Sequence, residues 1–123
     1  MINLILIGAG KIAEDFHIPS LKRISKINLI GIVDKNLGKA KRLAKRFNIK
    51  DYDTSLSSII KKVRADAVDI CASNKSHEKL ILESLKKNLH VICEKPFVVD
   101  YKKIKKIKKI ANRKKLICIP AQH

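Results

Sequence analysis

Hydrophobic residues in this chain fall into short continuous runs, separated by longer stretches in which they recur every three or four positions. Continuous runs are typical of buried strands, and the three-to-four spacing is typical of amphipathic helices. The predicted strands are Asn3–Ile7, Asn28–Val33, Asp51–Tyr52, Ala67–Cys71, His90–Cys93 and Leu116–Ile119. The predicted helices are Lys11–Ile24, Leu37–Phe47, Leu56–Val63, His77–Lys87 and Tyr101–Arg113.

The alternation of strand and helix predicts an α/β fold with a parallel sheet that is covered on both faces. Six strands are the number expected of a complete doubly wound dinucleotide-binding domain, with strand order 3-2-1-4-5-6. At 123 residues the chain has the size of one domain, residues 1–123. Ser55 and Asp100 are predicted helix N-caps. Pro19 interrupts the first helix and predicts an irregular segment around it.

Two glycines follow the first strand at a spacing that is typical of phosphate-binding loops. Gly8-x-Gly10-x-x-Ala13 fits the dinucleotide fingerprint, in which the glycines permit a tight turn and close approach of a phosphate to a helix start. Asp34 ends the second strand, where a carboxylate accepts hydrogen bonds from an adenosine ribose. The competing interpretation is an ordinary strand-to-helix turn and an ordinary strand-end carboxylate.

The formal net charge of +17 raises the alternative of a basic nucleic-acid-binding protein. The densest basic run is "YKKIKKIKKIANRKK", in which Tyr101, Ile104, Ile107, Ile110 and Ala111 form one apolar stripe between lysines. That pattern is typical of an amphipathic helix with one solvated face. Aromatic residues make up 4% of the chain and offer few surfaces on which bases could stack. We therefore do not expect nucleic-acid binding to be the main function.

Cys71, Cys93 and Cys118 lie in or beside apolar runs and show no paired spacing. We expect reduced, buried cysteines in a cytoplasmic protein, with no metal site and no disulfide framework. No segment is long and apolar enough to cross a membrane, and the first apolar run has no basic residues before it, so we expect neither a membrane partner nor a signal peptide.

Polar clusters follow strands one, four and five, and the carboxyl ends of parallel strands meet at one edge of a sheet. The clusters are Gly8 to Ile12, "CASNKSH" and "CEKPF". Together, "LILIGAGKIA", "GIVDKN" and "ICASNKSHEKLILESLKKNLHVICEKPF" resemble the N-terminal domain of the Gfo/Idh/MocA oxidoreductases. The resemblance covers essentially the whole chain. Its most specific part is Glu94-Lys95-Pro96, with Asn74 and His77 upstream.

The resemblance implies NAD(P)-dependent hydride transfer at a hydroxyl-bearing carbon of a sugar, nucleotide sugar or polyol. It places Lys95 beside the nicotinamide and the substrate hydroxyl, where it would act as the catalytic residue, with Pro96 fixing the backbone after it. The competing interpretation of the triplet is a strand-end turn with a surface salt bridge. The predicted cofactor-binding residues are Gly8, Gly10, Lys11, Ile12, Asp34, Lys35, Ser73, Asn74, His77, Glu94, Lys95 and Gln122.

Several of these assignments leave alternatives open. His77 is expected either to cap the fourth helix or to touch a ligand, and His17 to be a surface or packing histidine. Glu14 and Asp15 are predicted to be solvated. Asp34 favours NAD because a carboxylate repels a 2′-phosphate, while the neighbouring Lys35 leaves NADP as an alternative.

Members of this family carry a second domain that supplies the substrate pocket. This chain is therefore expected to represent the cofactor domain alone, with the substrate domain absent, and to be incomplete as an enzyme. A sugar or polyol would be its partner only when a second domain or chain completes the pocket. The sequence is also compatible with association of identical chains into a homo-oligomer. A non-catalytic NAD(P)-binding or sensing module is the second alternative.

Overall fold

The computed structural model of the chain describes residues 1–93 and 100–120, without the side chains of Asn74 and Pro120. The strands are β1 (Ile2–Ile7), β2 (Ile27–Val33), β3 (Asp51–Asp53), β4 (Ala67–Ile70), β5 (His90–Cys93) and β6 (Cys118–Pro120). They pair in parallel, in the order β3-β2-β1-β4-β5-β6. The predicted doubly wound α/β sheet and its strand order are confirmed, with strand ends displaced by one or two residues.

The helices follow the predicted places, and two of the predicted caps are present. They are α1 (Ile18–Lys22), α2 (Leu37–Arg46), α3 (Leu56–Ile59), α4 (His77–Lys86) and α5 (Tyr101–Lys114). The Ser55 hydroxyl accepts from the Ser58 amide, and the Asp100 carboxylate accepts from the Lys102 amide. Helix α3 is shorter than predicted because the amides of Lys61 and Lys62 donate to carbonyls three residues back, which ends the regular α-helical pattern.

The predicted interruption at Pro19 is present, because the regular α-helix begins only at Ile18, but the segment before it is helical and not irregular. A π-helical turn over Ala13–His17 leads directly into α1. Proline has no N–H group, and its ring clashes with the carbonyl four residues back in an α-helix. In the wider turn the Ile18 amide donates to the Ala13 carbonyl five residues back, and Pro19 occupies the first turn of α1, where its missing donor is not needed.

Side chains of β1 alternate between two hydrophobic layers, one on each face of the sheet. Leu4 and Leu6 pack with the first helix and α2, and Ile5 and Ile7 pack with α3, α4 and α5. This explains why residues 4–7 are a continuous apolar run: these four residues are buried on both faces of the sheet. The sheet therefore holds the carboxyl ends of β1, β2 and β4 rigidly at one edge.

The lysine-rich α5 packs through part of its predicted apolar stripe. Ile107 and Ala111 are buried, whereas Tyr101 is 69% exposed, so its assignment to the packed face was wrong. Burial increases along the helix, and the Tyr101 ring at its start lies beside the Lys105 ammonium at 5.4 Å. Lys114 at the other end donates to two carbonyls at the end of α4, which gives one basic side chain a structural role.

Candidate functional site

A cleft of about 380 Å³ opens at the carboxyl ends of β1, β2 and β4. Its walls come from the glycine loop after β1, the end of β2, the loop between β3 and α3, the loop after β4, and one face of α4. This is the edge at which parallel α/β sheets bind ligands.

Gly8 makes the turn at the floor of the cleft. Its φ is +105°, which L side chains rarely adopt, and its amide donates to the Val33 carbonyl at 2.7 Å. A Cβ here would lie 2.6 Å from both the Ala72 nitrogen and the Cys71 carbonyl carbon. The glycine is therefore required for the loops after β1 and β4 to approach one another.

Gly10 has a different role, because a Cβ built on it meets no atom within 4 Å. Its carbonyl accepts from the Glu14 amide at 3.1 Å, which makes this the first backbone bond of the helix. The amides of Lys11, Ile12 and Ala13 precede that bond and have no partner within the helix. Gly10 thus leaves open space beside a helix start, as an anion such as a phosphate requires.

Asp34 connects the end of β2 to the glycine loop. One carboxylate oxygen accepts from the Ala9 amide at 2.8 Å, and the other accepts from the Asn36 amide at 2.8 Å. The side chain is half-buried and lines the cleft. Each oxygen keeps a further lone pair for a ligand hydroxyl, so the carboxylate can orient the loop and bind a ribose together.

The structure places most of the other predicted cofactor residues in or beside the cleft. Lys35 and Ser73 line the cleft, and the Ser73 hydroxyl lies 3.3 Å from that of Ser76. Lys11 and Ile12 are exposed at the helix start beside it. Asn74 begins a 3-10 turn, Asn74–Ser76, directly after the cleft-lining Ser73. Glu94, Lys95, Pro96 and Gln122 lie outside the described residues.

His77 begins α4 but is buried, 1% exposed. Its Nε2 donates to the Ala72 carbonyl at 2.9 Å, five residues earlier. The ring therefore braces the loop after β4 from behind, and the cleft surface passes over Ala72 and Ser73. Its contact with a cofactor stays a prediction.

Glu14 is buried, 7% exposed, and the prediction that it is solvated was wrong. Arg42 donates to both of its oxygens, at 2.9 and 3.0 Å, and Arg46 also bonds to it. Hydrogen bonds from Arg42 and then Arg46 lower the pKa of Glu14 from 4.5 to about 2. Asp15 is exposed as predicted, 3.4 Å from Lys11. The Glu14 contacts fasten the first helix to α2.

Glu14→Gln should reduce stability and its dependence on pH. The lowered pKa means that the ion pairs stabilise the fold fully above pH 4.5 and progressively less as pH falls towards 2. We expect the melting temperature at pH 7 to fall by about 4 °C, with the two proteins converging near pH 2. Thermal melts across this range provide the measurement, with Asp15→Asn as control. Equal slopes in wild type and Glu14→Gln would contradict the assignment.

His17 is a buried packing residue, which is one of the two outcomes predicted for it. Its Nδ1 donates to Asp69 at 2.6 Å, and the Cys71 thiol donates to the other Asp69 oxygen at 3.8 Å. These three side chains place donor atoms within 4.8 Å of one another. Ligands of a tetrahedral zinc ion are separated by about 3.3 Å, so the closer His17–Asp69 contact is a hydrogen bond that joins the first helix to β4.

Cys71, Cys93 and Cys118 are not joined in disulfides. Cys93 is buried, and Cys71 lines the cleft. Burial raises the pKa of the Cys118 thiol to about 11, so it is neutral near pH 7 and a poor nucleophile.

One wall of the cleft was missed in the sequence analysis. Lys79, Leu80 and Glu83 line it from α4, together with Ser76 just before the helix. Their spacing of three, one and three residues marks one face of a helix. That spacing, beginning just after a strand that ends at the ligand edge, is the signal that could have revealed them. Across the described part of the chain, the helices include none with the length and apolar content to cross a membrane.

A family model described as "Oxidoreductase family, NAD-binding Rossmann fold" matches residues 2–122. The chain belongs to the Gfo/Idh/MocA oxidoreductase family. This confirms the resemblance seen in the glycine loop and in the segments after strands four and five.

The curated relatives include dehydrogenases that are named for a sugar or a polyol. D-glucoside 3-dehydrogenase of Escherichia coli is 27% identical over 77% of this chain, which covers 27% of that protein. Inositol 2-dehydrogenase 4 of Saccharopolyspora erythraea is 31% identical over 79% of this chain, which covers 29% of that protein. The chain thus spans less than a third of the length of these relatives.

Solved structures share the fold. An oxidoreductase from Agrobacterium radiobacter, in complex with NAD+, L-tartaric acid and magnesium, superimposes with a TM-score of 0.89 at 20% identity, over 97% of this chain and 34% of that one. A 3-ketoreductase from Actinomadura kijaniata, in complex with NADP and TDP-benzene, gives a TM-score of 0.90 at 23% identity, over 97% of this chain and 36% of that one. The neighbours therefore include proteins with either dinucleotide.

Proposed function

We propose that residues 1–123 form the NAD(P)-binding domain of an oxidoreductase that moves a hydride between nicotinamide and a hydroxyl-bearing carbon of a sugar, nucleotide sugar or polyol. One observation carries the cofactor part of the proposal. A single cleft joins the open helix start at Gly10 to the carboxylate of Asp34, which is bonded to the Ala9 amide. One site therefore offers a group that suits a phosphate beside a group that suits a ribose.

The substrate part rests on family membership and on the names of the relatives. In this proposal Lys95 lies beside the nicotinamide and the substrate hydroxyl. A bound nicotinamide accepts or donates the hydride, and Lys95 would take part in moving the hydroxyl proton. A second domain or chain would supply the remaining walls of the substrate pocket and exclude water.

The same proposal places the protein in the cytoplasm. Its three cysteines show no paired spacing in the sequence, which suits a reducing compartment. We also propose that the small-molecule substrate is the main partner, and a homo-oligomer is consistent with this function.

Turnover with a panel of sugars and polyols tests the substrate part. We would follow NADH formation at 340 nm with the wild-type chain and with Lys95→Ala, after showing that both bind NAD+. Turnover that Lys95→Ala abolishes would support the proposal. Cofactor binding without turnover by this chain, even when a substrate domain from a relative is added, would favour the non-catalytic module instead.

Asp34→Asn should move the cofactor preference from NADH towards NADPH. The amide keeps an oxygen that can accept from the Ala9 amide, but it removes the charge that repels a 2′-phosphate. With Lys35 adjacent, we expect the ratio of the two dissociation constants to change by about tenfold or more. Fluorescence titration with NADH and NADPH measures this ratio. Asp66→Asn, at the opposite edge of the sheet, is the control, and an unchanged ratio in Asp34→Asn would remove Asp34 from the ribose site.

A further inference from the structure

We propose that Glu83 recognises the adenine base of the dinucleotide by accepting a hydrogen bond from its exocyclic amino group. This inference rests on the proposed function and adds the residue that selects the base. The fingerprint, Asp34 and the resemblance all leave this residue unassigned.

The position of the base follows from the places already assigned to the phosphates and to the adenosine ribose. The helix start at Gly10 suits the phosphates, and Asp34 suits the adenosine ribose. The base is attached to that ribose and must lie beyond it, away from Gly10. The start of α3 lies on that side, because the Asp34 amide donates to the Asp53 carbonyl at 3.1 Å and α3 begins three residues later, at Leu56. Glu83, which lines the cleft from α4 together with Leu80, is joined to α3 by the hydrogen bond from Ser57.

This end of the cleft has the composition of a site for a flat heterocycle. Leu80, which is half-buried on α4, supplies apolar surface on which a base can pack, and Leu56 also lines this part of the cleft. Leu56 is fully buried in the core, so its position is fixed by the fold. Apolar walls of this kind bind a base without distinguishing one purine from another.

Glu83 supplies the polar group that could distinguish them. Its side chain is half-buried and lines the cleft. The Ser57 hydroxyl donates to Oε1 at 3.3 Å. Within residues 1–93 and 100–120, Oε2 accepts no hydrogen bond of its own and remains available to a ligand donor. Ser57 thus holds the carboxylate between α3 and α4, at the far end of the cleft.

An ionised carboxylate can only accept hydrogen bonds. Adenine presents an amino group, a donor, on the edge where hypoxanthine presents a carbonyl oxygen, an acceptor. A carboxylate facing that position attracts the first and repels the second. Glu83 should therefore favour NAD+ over the analogue in which hypoxanthine replaces adenine.

Calorimetric titration with NAD+ and with nicotinamide hypoxanthine dinucleotide tests this. We expect the wild-type chain to bind NAD+ about tenfold more tightly. In Glu83→Gln the amide can accept from the amino group or donate to the carbonyl, so the two ligands should bind with nearly equal affinity. The control is Glu78→Gln, on the same helix, where the carboxylate pairs with Lys103 at 2.8 Å. It should keep the wild-type ratio.

A wild-type ratio near one, or a Glu83→Gln ratio equal to wild type, would overturn the inference while leaving the cofactor site intact. If Glu78→Gln also lost the preference for NAD+ over the hypoxanthine analogue, the inference would be overturned too. The preference would then depend on the total charge of α4 and not on a carboxylate at position 83. Failure of the folded wild-type chain to bind NAD+ at all would instead overturn the proposed function, and the base assignment with it.

Discussion

Gly8→Ala is expected to lower the free energy of unfolding by about 3 kcal/mol or more. Alanine is strained at a φ of +105°, and its Cβ would lie 2.6 Å from backbone atoms of Cys71 and Ala72. Backbone atoms cannot move aside as a flexible side chain can, so β1 and β4 would have to separate where they are paired at Ile7 and Ile70. Urea unfolding followed by circular dichroism measures the loss.

Gly10→Ala is the matched control for Gly8→Ala. It adds the same methyl group two residues away, where nothing lies within 4 Å of the new Cβ. We expect its unfolding midpoint to stay close to that of the wild type. Equal losses at the two positions would contradict the close approach of Gly8 to Cys71 and Ala72.

Gly10→Asp is expected to abolish dinucleotide binding while leaving the fold intact. The open space at Gly10 receives a side chain without a clash, but that side chain fills the place of the phosphates and carries the same charge sign. The nicotinamide fluorescence of NADH should therefore show no saturable change, with an affinity loss of about a hundredfold or more. Circular dichroism and the unfolding midpoint confirm that the variant is folded.

Asn112→Asp controls for the added charge. Asn112 is exposed on α5, away from the cleft, so this variant gains the same negative charge outside the site. It should bind NADH as the wild type does. If Gly10→Asp also bound NADH normally, the helix start would not be the phosphate site.

Most of the fold could be predicted because each element carries local information. Continuous apolar runs gave the strands, helical periodicity gave the helices, and Ser55 and Asp100 marked helix starts that the structure confirms. The strand order followed from the strict alternation of the two elements, which permits few topologies. The glycine spacing and Asp34 predicted the cleft, since their roles depend on backbone geometry at strand ends.

Long-range pairings were beyond the reach of local patterns. Glu14 looks like a solvated charge on an exposed helix until Arg42 and Arg46, 28 and 32 residues away, are packed against it. Pro19 predicted that the α-helix is interrupted or begins late, but not that a π-helical turn leads into it. Helix α4 read as an ordinary amphipathic helix, although one of its faces lines the cleft through Lys79, Leu80 and Glu83.

The titration of the wild-type chain with NAD+ tests the central claim most directly. We would use isothermal calorimetry on chain shown to be folded, with Gly10→Asp in parallel. The account predicts saturable one-to-one binding that is absent in Gly10→Asp. A folded wild-type chain that released no binding heat at several temperatures, and that gave no change in NADH fluorescence, would contradict it.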